Sequence, residues 1–124
     1  MTIAIERWPL VPTTPVSRNL EDRRAEGESL NYLGALHAKQ ADFDAARRCM
    51  DASEQLLRDL DQVALAVLLC DRAEMELLAG NRDVARSALT EAETIAGATG
   101  AGTASELGLK LTHVRDLIDW QSAT

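Results

Sequence analysis

The sequence predicts an all-α fold of about five helices paired as α-hairpins, on four observations. Phe43, Ala46, Met50, Ser53, Leu57 and Leu60 recur at alternating spacings of three and four, which places them on one helical face. Small residues sit where two helices would cross, Gly34 and Ala46 in one stretch and Ala73 and Ala85 in another. Ala85 follows Ala46 by 39 residues and Gly80 follows Ala41 by 39, so one helix–turn–helix layout recurs. Finally, 46% of residues are hydrophobic, mostly Leu and Ala, while aromatics are 3%. That composition suits close helix–helix packing and not a β-sandwich.

Residues 1–18 hold all three prolines, Pro9, Pro12 and Pro15, which exclude regular helix. They read as an extended leader, flexible and tacked onto the domain by a few residues; the alternative is an arm lying on helices of its own or a neighbouring chain, with Trp8 as its anchor. Residues 19–124 form the helical domain. Asn19 can cap a first helix reaching Lys39, with Glu21 and Asp22 at its positive end and Gly27 as a weak point. Asp42 caps the second helix, whose Arg47, Arg48, Asp51, Glu54 and Arg58 form a solvated face. The third helix, 62–79, carries Leu65, Leu68, Leu69, Ala73 and Met75 over more than one stripe, so it should lie between other helices. Gly80-Asn81 stops it, and Asn81 can cap a fourth helix presenting Val84, Ala85, Ala88, Leu89, Ala92 and Ile95. Gly97, Gly100 and Gly102 mark a flexible loop. Thr103-Ala-Ser-Glu106 reads as a capping box that opens a fifth helix, with Leu107, Leu111, Val114 and Ile118 inward and Trp120 as a plug over helix four.

The formal charge of −7, from 13 basic and 20 acidic residues, repels phosphate backbones and argues against nucleic acid as a partner. A basic peptide or basic protein face is compatible with it. Cys49 and Cys70 lack metal-site spacing and read as small buried hydrophobes in a reducing compartment. His37 and His113 have no second ligand at helical spacing, so no metal is expected. Asp59, Asp61 and Asp71 gather near one turn, where carboxylates cap helices and aid solubility. No nucleophile elbow, phosphate-cradling loop or dinucleotide fingerprint is present, so neither an enzyme nor a cofactor is expected. The first residues lack a secretory pattern, and no run approaches the ~20 apolar residues that cross a bilayer. A cytoplasmic protein without a membrane partner is the expectation.

Leu30, Leu33, Gly34, Ala46, Met50 and Ser53, with the turn Asp42-Phe43-Asp44-Ala45-Ala46, resemble the tetratricopeptide repeat. Leu69, Ala73, Gly80, Ala85, Leu89 and Ala92 form a second unit that resembles it too. The departures are His37, Arg72 and Glu76, which stand at normally apolar positions, and a spacing longer than the usual ~34 residues. The resemblance spans residues 28–97, and the fifth helix resembles either a cap or half of a third repeat. It implies a short right-handed superhelical solenoid whose first helices line a concave, peptide-binding face. Carried over by position, that face comprises Glu28, Asn31, Ala35, Ala38 and Lys39 from the first unit, and Val67, Cys70, Glu74, Leu77 and Leu78 from the second. Only Asn31 and Lys39 match a carboxylate-clamping set, so the expected ligand is an apolar or amphipathic segment.

The functional expectation is a non-enzymatic interaction module that binds a protein or peptide, with self-association covering an otherwise exposed stripe. A small secretion-type chaperone, or a regulatory or sensor repeat piece of a bacterial signalling system, are alternatives within the binding class. The alternative from another class is an enzyme with a carboxylate site in a helical bundle, which would need a deep polar pocket.

Overall fold

The computed structural model describes residues 16–123 of the chain. It holds five helices and, among the described residues, no strand. They are α1 (Val16–Lys39), α2 (Phe43–Leu57), α3 (Gln62–Leu78), α4 (Arg82–Thr99) and α5 (Glu106–Ala123). The leader, with Trp8, lies outside the described residues up to residue 15. The helix begins at Val16, three residues before Asn19, because a proline restricts the residue before it and leaves the next free to start a helix.

The α1–α2 hairpin rests on the absence of side chains at two crossings. A Cβ on Gly34 would lie 2.8 Å from Met50 Cγ and 3.2 Å from the Ala46 carbonyl oxygen. A Cβ on Gly27 would lie 2.8 Å from both Leu57 Cγ and Cδ2. The buried Ser53 hydroxyl donates to the Gly27 carbonyl at 2.6 Å, tying α2 to α1 there. Gly27 is therefore a contact point, and α1 continues through it unbroken. Ala46, Ala73 and Ala85 are fully buried, as their place at helix crossings requires.

Both hairpins turn through the left-handed region. Ala41 has φ 62° and Gly80, at the equivalent place 39 residues on, has φ 89°. The following amides close the turns alike, Asp42 N donating to His37 O at 3.0 Å and Asn81 N to Glu76 O at 2.8 Å. Asp42 caps α2 through the Ala45 amide at 3.2 Å, and Asp61 caps α3 through the Ala64 amide at 3.0 Å. Asn81 makes no side-chain cap; its amide instead donates to Glu76 Oε1 at 2.8 Å.

α3 touches all four other helices, which accounts for its burial over several stripes: Leu65, Ala66, Leu68, Ala73 and Met75 are each at most 1% exposed. α4 runs on to Thr99 and ends at Gly100 (φ 73°), so Gly97 is helical and the loop is shorter than the glycine spacing suggests. The cap of α5 is Ser105 and not Thr103. Its hydroxyl accepts from the Gly108 amide at 3.0 Å and donates to the Gly102 carbonyl at 2.7 Å. The loop folds so tightly over Gly108 that an added Cβ would lie 2.8 Å from the Thr103 backbone. Glu106 is the first residue of the helix and Gly108 the third, so the predicted reciprocal box is replaced by the single Ser105 cap. Trp120 is 69% exposed and plugs nothing; Leu111, Val114 and Ile118 make the inward face instead. Val84 of α4 is exposed as well, and Ala85 beside it holds the inward position.

Candidate functional site

α1, α3 and α5 run in the same direction. Arg24 of α1 lies 3.7 Å from Asp61 at the start of α3, and further along both helices Asn31 donates to Asp71 at 2.9 Å. From α3 to α5 the same order holds, with Lys110 donating to Asp71 at 2.8 Å and His113 lying 3.6 Å from Glu74. Asp71 thus joins three helices, one carboxylate oxygen accepting from Asn31 and the other from Lys110. The three residues are separated by 40 and 39 positions. Asn31 Oδ1 is buried and, among the described residues, has no donor.

Between these helices lies a groove of about 680 Å3. Of the ten residues expected on the concave face, Glu28, Asn31, Ala35, Ala38 and Lys39 line it from α1, and Val67, Glu74 and Leu78 from α3. Cys70 and Leu77 do not. They are 1% and 5% exposed and point into the core, because α3 has neighbours on so many sides that its stripe facing the groove is narrow. Burial pushes the Cys70 thiol up to about 12, with Asp71 adding to the shift, so it stays protonated and inert. Cys49 is half-buried.

Sequence reasoning missed Arg24, Tyr32, Asp61, Val63, Asp71 and Lys110, all of which line the groove. The separations of 40 and 39 linking Asn31, Asp71 and Lys110 were the available signal for two of them. Asp61 and Asp71, grouped in sequence, separate in space by role: one caps α3 and the other ties the floor together. Burial alone would lower the Lys110 pKa, but the bond to Asp71 and the nearby carboxylates of Asp71, Glu106 and Glu74 outweigh it and raise it. Lys110 is therefore a charged strut. Among the described residues no set of His, Cys, Asp and Glu could hold a metal. Among the described residues no helix is long and apolar enough to cross a membrane.

The wall behind the groove is polar as well. Arg47 of α2 donates to Glu76 of α3 from Nε and Nη2, both at 3.0 Å, with Glu76 only 3% exposed. Arg72 of α3 pairs with Asp51 and, at 3.0 Å, with Glu54. The two departures Arg72 and Glu76 are thus the α3 halves of its ion pairs with α2. The Arg47 bond holds the Glu76 carboxyl below its ordinary value against the opposing effect of burial, with Asn81 helping.

The groove combines exposed apolar side chains with paired polar groups. Tyr32, Val63 and Leu78 expose 67%, 44% and 60% of their area, while the central polar groups hold one another. No family model matches this chain, and neither a curated protein nor a solved structure matches it.

Proposed function

We propose that this chain is a non-enzymatic interaction module, a short right-handed solenoid resembling the tetratricopeptide repeat, that docks a segment of a partner protein between α1, α3 and α5. The observation that carries the reading is the groove itself, lined by eight of the ten residues that the repeat positions single out. Two features support it. Small residues recur at crossings 39 apart, Gly34 with Ala73 and Ala46 with Ala85. The Asn31–Asp71–Lys110 tie, with separations of 40 and 39, carries a similar spacing into α5 and supports reading it as a cap or as the first half of a third unit. The groove's Arg24 and Lys110 are held by Asp61 and Asp71, which favours recognition over acid–base chemistry.

Self-association belongs to the same reading. Leu33 and Leu36 are 45% and 38% exposed. Their equivalents 39 residues on, Arg72 and Met75, face α2 or lie buried, as do Leu111 and Val114 of α5. The outer face of α1 is where a preceding helix would sit, and a second copy can cover it.

Affinity capture from the native host, with wild type and the double variant V67D/L78D, tests the function. A protein retained by wild type and lost by the variant, with thermal unfolding of the variant preserved, is the expected result. Equal retention by the variant places the partner on another surface and overturns the reading.

A further inference from the structure

We propose that the occupant of this groove is a cationic amphipathic α-helix of a partner protein, seating aliphatic side chains against Tyr32, Val67 and Leu78 and a lysine or arginine beside Glu74 and Glu106. The inference rests on the reading that the groove docks a protein segment, and names which kind.

The helical form follows from what the walls can offer. They are α-helices, whose main-chain groups are already bonded internally. Several of the polar side chains reaching inward are engaged as well, Arg24 with Glu28 and Asp61, and Asn31 Nδ2 and Lys110 with Asp71. An extended segment would bury main-chain amides against these surfaces without partners. A helix brings its own hydrogen bonds and asks only for shape and apolar contact. From Arg24 to Lys39 the α1 wall runs roughly 22 Å, the length of a helix of about four turns.

The charge follows from the count of groups. Five carboxylates line the groove against three cations. Two of the cations, Arg24 and Lys110, are already paired. Among the described residues Glu106 has no ion pair within 4 Å and Glu74 only an imidazole at 3.6 Å; both share the field of Lys110, and with Lys39 counted the groove still keeps two carboxylates more than cations. An acidic segment would meet this surplus as like charge, whereas a lysine or arginine neutralises it and is steered inward by the net −7 of the chain.

Fluorescence anisotropy decides it, using as probe a labelled Leu/Lys amphipathic peptide of about four turns. Two comparison peptides carry Glu in place of Lys, or a central proline that breaks the helix. The Leu/Lys peptide is expected to bind at least about tenfold tighter than either comparison. The variant E74Q/E106Q should weaken it by about tenfold, while D59N/D119N, which removes as much charge outside the groove, leaves it unchanged. No binding of the Leu/Lys peptide, or equal loss in both charge variants, overturns the inference. If the Glu or proline peptide binds as well and V67D/L78D abolishes that binding, the cationic helix is wrong and the docking groove stands. If V67D/L78D leaves every affinity unchanged, both are wrong.

Discussion

A single methyl group shows how far one residue departs from its own best choice. Ala41 occupies the left-handed turn position that Gly80 fills in the second hairpin, and a Cβ there is strained where glycine is free. Ala41→Gly is therefore expected to stabilise the protein by about 0.5–1 kcal/mol, read as a shift in urea midpoint at constant slope. A loss of stability would mean that the unfolded chain's gain in freedom outweighs the relieved strain. The spacing of 39 pointed to this equivalence, but spacing carries no φ angle. Gly27 failed as a sequence reading for a related reason: helix propensity scores the residue against its own backbone, while the structure uses the missing side chain to seat Leu57. Asn81 failed because Glu76 offers its amide a buried carboxylate in place of a helix end.

Between elements, the α2–α3 contact shows why two charged residues stand where the repeat pattern expects apolar ones. Glu76 is buried and held by a bidentate guanidinium, an arrangement whose rupture strands a carboxylate away from water. Arg47→Met should destabilise the protein by about 2 kcal/mol at neutral pH. The folded pKa of Glu76 lies below its ordinary value, with the Arg47 bond as the largest cause. Its contribution is therefore full above the ordinary carboxylate range and disappears as pH falls through the depressed value. The gap between wild type and Arg47→Met should accordingly hold from neutral pH down to the ordinary carboxylate value of 4.5 and narrow below it in denaturant titrations. A gap that stays constant would assign the loss to packing. Helix number, order and inward faces were legible because apolar periodicity is a local signal. The ion pairs were not, since they join residues 18 to 29 positions apart whose meeting depends on how hairpins stack.

For the molecule as a whole, three parallel helices share a floor and leave two kinds of surface. The groove is polar at its centre and apolar along its rim. The outer face of α1 exposes Leu33 and Leu36. If a second copy covers that face, L33E/L36E should convert a dimer to a monomer in size-exclusion chromatography with light scattering; a wild type that is monomeric at high concentration removes that part of the account. Eight of the positions that the repeat resemblance implies line the groove, since side chains on one open side of a helix keep the helical period. Cys70 and Leu77 fell out because burial of α3 by four neighbours is a property of the assembled fold. The most direct test is site-specific photocrosslinking of the partner captured by wild type. A crosslinker at Val63 or Leu78 in the groove is compared with one at Val84 or Trp120, which are comparably exposed outside it. The account predicts crosslinks from Val63 and Leu78 alone; crosslinks from Val84 or Trp120 with none from the groove would contradict it.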